Sequence, residues 1–231
     1  MLSILSWNIQ QGGGIRTIEI TRAIAKSAPD IIIFSEFRNN ENGAKIRSRL
    51  LLYGYLFQFV TNAMPQENSV LIASKIACNS TLYPHADPEY SANILSIQME
   101  AFNLMGVYLP HKKKHNLLPF IIDTVIKSST PYIIAGDFNT GKNYLDQKGN
   151  SFWYTDQLEK LEASNYSDAF RHMHKDVKEF SWYSHQGNGY RYDHTYVHSS
   201  ILPVIKTCHY NHAWREEKLS DHSAMVLVLG V

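Results

Sequence analysis

Short apolar runs alternate with polar breaks along this chain, and several runs end abruptly on an oxygen-bearing side chain. Residues 2–6 read as a strand, the glycines at 12–14 as a turn, and 17–27 as a helix with Ile20, Ile24 and Ala28 on one face. Pro29 stops that helix, and the run at 31–35 reads as a buried strand. A second helix is expected at 43–52. From 56 to 108 the pattern changes to successive strands, at 56–60, 69–74, 93–99 and 104–108, with turn-like Asn-Ser and proline-rich breaks between them. A helix at 117–126, a strand at 132–135 and a helix near 153–163 follow. The last third gives short strands around 180–183, 191–197, 204–210 and 224–229. Helices interspersed with many strands predict two packed sheets with helices outside. There is no internal repeat, low-complexity tract or linker-like stretch, so a single domain over 1–231 is expected.

Composition narrows the picture modestly. With 44% hydrophobic and 19% charged residues over 231 positions, the chain is an ordinary globular one. Its 22 Lys+Arg against 21 Asp+Glu leave it near neutral, so binding to a polyanion has to come from a local cationic cluster. His111-Lys112-Lys113-Lys114-His115 is the candidate, and a solvated loop explains it equally well. Cys78 and Cys208 are far apart; a disulfide stays open, but two reduced thiols are the simpler reading. The first residues carry no basic segment followed by a long apolar one, and no apolar stretch approaches the ~20 residues that span a bilayer. A cytoplasmic protein with no membrane association is therefore expected. No protein partner is evident, and monomer is the default.

The chemistry sits where the apolar runs stop: Trp7-Asn8-Ile9-Gln10, Ser35-Glu36-Phe37-Arg38, Gly136-Asp137-Phe138-Asn139 and Ser220-Asp221-His222-Ser223. A buried strand that halts on Asn, Glu or Asp delivers an oxygen ligand to the rim of a sheet. Carboxylates and carboxamides without converging cysteines favour a hard cation such as Mg²⁺ over Zn²⁺. Hydrolysis of a phosphodiester needs a metal for the oxygen charges, a base for water and neutral donors for the phosphate. Glu36 is the metal-ligand candidate, though alone it is matched by a surface glutamate pairing with Arg38. Asn8 and Asn139 suit a phosphate, a water or a metal without adding charge. Asp137, two residues before Asn139, shares its face on an extended segment; Gly-Asp-Phe-Asn alone also describes a turn. Asp221 suits the metal shell. His222, paired with a carboxylate for which Asp193 is the candidate, suits the phosphate. Tyr108 offers a hydroxyl, although a strand-end tyrosine is commonly just buried.

Taken in this order, Asn8, Glu36, Tyr108, Asp137/Asn139, Asp193 and Asp221/His222 resemble the endonuclease/exonuclease/phosphatase superfamily along nearly the whole chain. Within it, Tyr108-Leu109-Pro110, Gly-Asp-Phe-Asn, Gly189-Tyr190-Arg191-Tyr192-Asp193 and Arg215 before Leu219-Ser220-Asp221-His222 are most similar to the exonuclease III and AP-endonuclease branch. The resemblance implies a DNase I-like fold: a four-layer α/β/β/α sandwich, two packed mixed sheets flanked by helices. It implies Glu36 as principal Mg²⁺ ligand (Mn²⁺ as substitute), with Asn8 and Asp221 close to the metal. Asp137 would handle a proton of water or leaving group, Asn139 and Tyr108 would hold the phosphate, and His222, oriented by Asp193, would contact phosphoryl oxygens. Asn8, His111, Lys112 and Tyr190 complete the expected substrate contacts. The chain departs from the branch at Gln10, where a second Asn is usual, and at Phe37-Arg38, where Thr-Lys is usual. It departs again at His111, which replaces an amide, and at Tyr190, where AP endonucleases often carry a tryptophan. Abasic-site specificity is therefore not implied.

The expected activity is Mg²⁺-dependent phosphodiester hydrolysis on nucleic acid, DNA first, as an endonuclease or 3′-exonuclease. The competing enzyme reading is a phosphoesterase on an inositol phosphate, a lipid headgroup or a tyrosyl-DNA adduct. The reading from another class is a catalytically silent binding module, whose mark would be a lost ligand residue. The eleven histidines, including His172, His174, His209 and His212, lack the cysteine or HExxH context of a zinc site. Gly12-Gly13-Gly14 lacks the Lys-Ser/Thr of a P-loop. Of Trp182, Tyr183, Tyr190 and Tyr192, at least half are expected in the core and the rest beside the site.

Overall fold

The computed structural model describes residues 1–84, 91–111 and 114–230. Its first layer is a six-stranded sheet in the order β13-β14-β1-β2-β4-β3. The strands are β1 (Leu2–Asn8), β2 (Ile31–Phe37), β3 (Phe57–Val60), β4 (Ser69–Ser74), β13 (Ile205–Asn211) and β14 (Ala224–Leu229). The second sheet, also six-stranded, runs β5-β6-β7-β8-β12-β9. It is built from β5 (Asn79–Leu82), β6 (Ile94–Gln98), β7 (Asn103–Tyr108), β8 (Tyr132–Asp137), β9 (Tyr166–Asp168) and β12 (Asp193–His198). Each sheet has one parallel pair at its centre, β1 with β2 and β7 with β8, among antiparallel neighbours. A small ribbon of β10 (Trp182–Tyr183) and β11 (Gly189–Tyr190) lies apart.

The alternation of side chains explains the layering. Ile31 and Ile33 of β2 point into the core between the sheets, where they meet Val70, Ile72, Leu104, Ile133 and Leu227. Ile32 and Phe34 point the other way, onto Ile20 and Ile24 of α1 (Thr17–Ser27) and Ile46 and Leu50 of α2 (Glu41–Leu52). Burial on both faces is why the run is apolar throughout. On the second sheet, Ile134 and Met105 face Leu118 and Ile121 of α3 (Lys114–Ile126) and Leu158 and Leu161 of α4 (Thr155–Ala163). The result is the expected α/β/β/α sandwich. Gly106 lets the sheets approach: a Cβ there would lie 2.8 Å from Ile33 Cγ2.

Local signals account for the helix ends. Ala28 adopts φ 47° and its N–H donates to the Ile24 carbonyl, closing α1 before Pro29. The Asn40 side chain accepts from the N–H groups of Asn42 and Gly43, so α2 begins two residues before the expected start. Asn79-Ser80, expected as a break, instead belongs to β5, which pairs with β6 at the sheet edge. Its polar, mostly exposed residues suit an edge strand and hide the period-2 signal. The strand expected at 191–197 begins later, as β12 from Asp193, with Arg191 and Tyr192 in the link from β11. β9, α5 (Ala169–His174) and α6 (Ala213–Glu216) were not expected; each is too short for its periodicity to register. Both cysteines are free thiols.

Candidate active site

The strand ends of both sheets meet at one rim. In the second sheet Tyr108, Asp137 and Asp193 are direct cross-strand partners at the ends of β7, β8 and β12. In the first, Asn8 ends β1 beside Ser35 of β2, and the Ser35 hydroxyl donates to the Val107 carbonyl, joining the sheets beneath the rim. The Asn8 side chain then spans the gap: its Nδ2 donates to Glu36 Oε1 at 3.1 Å and to Asp137 Oδ2 at 2.8 Å. Its Oδ1 accepts from the Gln10 N–H, so the amide bridges two carboxylates rather than turning its oxygen to the Glu36 side. Ser220 donates to the Asn8 carbonyl at 2.6 Å, which brings Asp221 and His222 to the same place. Trp7 Nε1, from beneath, donates to the His222 carbonyl.

His222 and the acids around it form an electrostatic unit. Its Nδ1 lies 2.7 Å from Asp193 Oδ2. Asp137, Asp193 and His222 each place a ligand-type atom within 4.8 Å of the others, all buried. Burial works against the imidazolium, but Asp193, Asp137 and Asp221 outweigh it and raise the His222 pKa to about 10. A protonated imidazole donates hydrogen bonds and does not ligate a metal, so this trio is suited to proton and phosphate chemistry. Burial also pushes the Asp137 carboxyl above the usual carboxylate range, with Asp193 and Glu36 adding to the rise and His222 and the Asn8 amide opposing it. Asn139 contributes two donors to Asp137, its N–H at 2.9 Å and its Nδ2 at 3.1 Å. The Tyr108 hydroxyl is kept protonated by burial and by the charges of Glu36 and Asp137, and Asn68 holds it at 3.5 Å.

Glu36 reaches the rim through a backbone irregularity. The β2–β4 register slips between Ser35 and Phe37, and Glu36 takes φ 53°, a left-handed conformation that a glutamate rarely adopts. The slip re-aims its carboxylate, which also accepts from the Gln11 N–H at 2.8 Å. Asp221 is steadied by the Trp182 indole N–H at 3.0 Å. Arg16 binds the carbonyls of Leu219, Ile9 and Gln10 and senses both Glu36 and Asp221. Four carboxylates thus face two cations, His222 and Arg16, and buried Asp193 Oδ1 has no hydrogen-bond partner among the described residues. This oxygen-rich, under-neutralised set fits a hard divalent cation.

Beside the rim lies a cavity of about 270 Å³ lined by His111, Asn139, Asn150, Phe152, Trp153, Tyr190 and Tyr192. Tyr190 and Tyr192 stack at 5.4 Å and are buried, whereas Trp182 is half-buried and Tyr183 exposed. His111 sits edge-on to Tyr192 at 5.7 Å. Lys112 lies outside the described residues. Asn8, Glu36, Tyr108, Asp137, Asn139, Asp193, Asp221 and His222 are therefore brought together, with His111 and Tyr190 at the adjoining cavity. Arg16, Asn68 and Ser181 went unnoticed in the sequence, and Ser220 was named within its motif but given no role. Ser181 accepts from the N–H groups of Tyr192 and Asp193. Arg16, Asn68 and Ser181 lie in none of the four motifs, so no local signal marked them. Among the described residues, His174 contacts the Cys208 carbonyl, and His212 contacts Ser223 and Glu179, in no metal-ligand group. No helix among the described residues is long and apolar enough to cross a membrane.

A DNase I-like sandwich with acids, amides and a charged imidazole at its strand ends is a scaffold for phosphate-ester chemistry. The chain belongs to the endonuclease/exonuclease/phosphatase family, whose model matches residues 5–222, and it is a hydrolase of phosphodiester bonds. Three solved structures share the fold. An AP endonuclease from Archaeoglobus fulgidus superposes with a TM-score of 0.87 at 17% identity, covering 100% of both chains. A 3′-5′ exonuclease from Neisseria meningitidis gives 0.84 at 18% identity, again covering 100% of both. A 3′ phosphatase from Neisseria bound to a product DNA hairpin gives 0.83 at 17% identity and 99% coverage of each. No curated protein matches the sequence.

Proposed function

We propose that the protein is a divalent-metal-dependent nuclease acting on DNA, internally or from a 3′ end. The observation that carries this reading is the Asn8 amide held between Glu36 and Asp137, within reach of the His222–Asp193 pair. Glu36 and Asp221 would hold Mg²⁺, or Mn²⁺ in its place, and the ion would neutralise phosphoryl oxygens and the leaving alkoxide. Asn8 keeps the metal-side carboxylate and Asp137 at fixed separation. Because Nδ1 of His222 is taken by Asp193, its Nε2 is left for a phosphoryl oxygen. Tyr108 and Asn139 supply neutral donors to the phosphate. Asp137, with its raised pKa, accepts a proton from the attacking water or returns one to the leaving oxygen. Polynucleotide is favoured because the cavity beside Asn139 is walled by aromatic rings of the kind on which bases and sugars stack. The DNA hairpin bound to the Neisseria 3′ phosphatase agrees with that preference.

The near-neutral net charge of +1 favours the second reading, a phosphoesterase on a small substrate. The test is cleavage of nicked, abasic and single-stranded DNA, of RNA, and of an inositol phosphate and a lipid headgroup diester, each with Mg²⁺ and with EDTA. Cleavage of DNA lost in EDTA, and abolished in Glu36→Gln and His222→Ala of unchanged fold, is expected. High kcat/KM on a small diester with none on polynucleotides would transfer the assignment to the second reading. Absence of metal-dependent cleavage of every substrate would overturn both.

A further inference from the structure

Residues 139–153, between β8 and α4, form one wall of the cavity beside the rim, and a set of internal bonds fixes them there. Asp146, fully buried, accepts from Arg191 Nε at 2.7 Å and Nη2 at 3.0 Å, from the Lys142 N–H at 2.8 Å, and from Arg171. Arg191 N–H in turn donates to the Asp146 carbonyl at 2.7 Å. Asn143 clips the far end: its Oδ1 accepts from the Phe152 N–H at 2.7 Å and its Nδ2 donates to the Phe152 carbonyl at 3.3 Å. Thr140 holds the Trp153 carbonyl at 2.7 Å, and the Asn150 N–H donates to the Tyr190 hydroxyl at 3.0 Å. Gly149 passes so close that a Cβ there would lie 2.1 Å from that hydroxyl. The opposite wall is Tyr190 and Tyr192, the two neighbours of Arg191, and the next residue is Asp193, which orients His222.

We infer that Asp146 and Asn143 are positioning residues for substrate selection: they clamp residues 139–153 with Phe152 packed against Tyr190 and Tyr192, fixing the shape of an aromatic-floored slot that accepts the ring-bearing nucleoside portion of a phosphodiester. The inference rests on the nuclease reading and names the part of the substrate that its site selects. Phe152 packs edge-on against Tyr190 and tilted against Tyr192, at 5.8 Å between ring centres in each case, so the three rings form a continuous aromatic floor where the two walls meet, with exposed Trp153 at the mouth of the slot. A clamp is needed because this segment between Asp137 and Thr155 has no regular secondary structure to hold its shape.

Asn143→Ala tests this, since the half-buried amide touches no reacting group. Two substrates sharing a leaving group are compared, thymidine 5′-(p-nitrophenyl phosphate) and methyl p-nitrophenyl phosphate, together with amide hydrogen exchange. The expected result is a roughly tenfold rise in KM for the nucleoside diester, little change in kcat or in turnover of the methyl diester, and faster exchange confined to residues 150–153. Asp146→Asn should give the same split, more strongly. An equal loss on both substrates, no loss on either, or unchanged exchange at 150–153 would overturn the inference. If the wild type cleaves neither diester, the inference is likewise overturned, because a slot that selects the nucleoside portion has to act on the nucleoside diester; the nuclease reading is decided separately, by cleavage of DNA.

Discussion

At the scale of single residues, the site is a problem in placing like charges. Asp137 and Asp193 are direct partners across β8 and β12, and Glu36 lies one amide away. Repulsion is contained because His222 is a cation between them and Asn8 and Asn139 donate to Asp137. Asp193→Asn, which keeps the shape but removes the charge that holds His222 protonated, should lower kcat by about 10²–10⁴-fold with little change in KM. Steady-state kinetics on a cleavable oligonucleotide checks this, and wild-type kcat would contradict it. Asn8, Glu36 and Asp137 were legible in the sequence because each lies at the end of an apolar run, and Asp193 and His222 because each stands at the start of one. Their supports were not. Asn68, Arg16 and Ser181 act through contacts 30 residues or more away or through backbone groups, such as Arg16 to the Leu219 carbonyl and Asn68 to Arg38 and Tyr108. The left-handed turn at Glu36 was hidden for a related reason: nothing in Ser-Glu-Phe-Arg announces a bulge, and it exists only because β4 pairs on both sides of it.

Elements turn those residues toward one another. β2 was readable because burial on both faces demands an apolar run, whereas β5 was not, being a polar edge. The close approach of β7 to β2 and β4 depends on Gly106, whose missing Cβ leaves room for Ile33 and Val70. Gly106→Val should therefore destabilise the protein by about 1–3 kcal/mol through overpacking, read from urea denaturation; an unchanged midpoint would mean that the sheets can part without cost. A second element-scale device ties β9, β12 and residues 139–153 through buried charges: Arg191 to Asp146 and to Asp168, with His194 also against Asp168. Burial opposes both carboxylates' charges, but Arg191 and its neighbours overcome it. They hold Asp146 down at about 2, against an ordinary 3.8, and Asp168 lower still. A depressed folded-state pKa stabilises fully above the unfolded value and ceases to do so as pH falls through the folded one. The stability deficit of Asp146→Asn should accordingly be largest at neutral pH and shrink as pH drops from about 4 toward 2. A deficit that stays constant over that range, measured by denaturation at each pH, would contradict the charge role.

For the molecule as a whole, the sandwich turns four distant stretches of chain into one surface. The parallel pairs β1–β2 and β7–β8 at the sheet centres send Asn8, Glu36, Tyr108 and Asp137 to the same end, and the turn before β14 adds Asp221 and His222. The layer order and the rim were foreseeable from periodicity and strand endings together. The aromatic cavity was foreseeable only in part: Tyr190 was expected beside the substrate, but Phe152 and Trp153 reach it through a loop whose course depends on the buried Arg191. The most direct measurement is anomalous diffraction from crystals soaked in Mn²⁺. The expected map has one strong peak within coordination distance of Glu36 and on the Asp221 side of Asn8, absent in Glu36→Gln crystals treated alike. A strong peak elsewhere with none at Glu36, or no peak at millimolar Mn²⁺, would contradict a metal-centred phosphodiesterase at this rim.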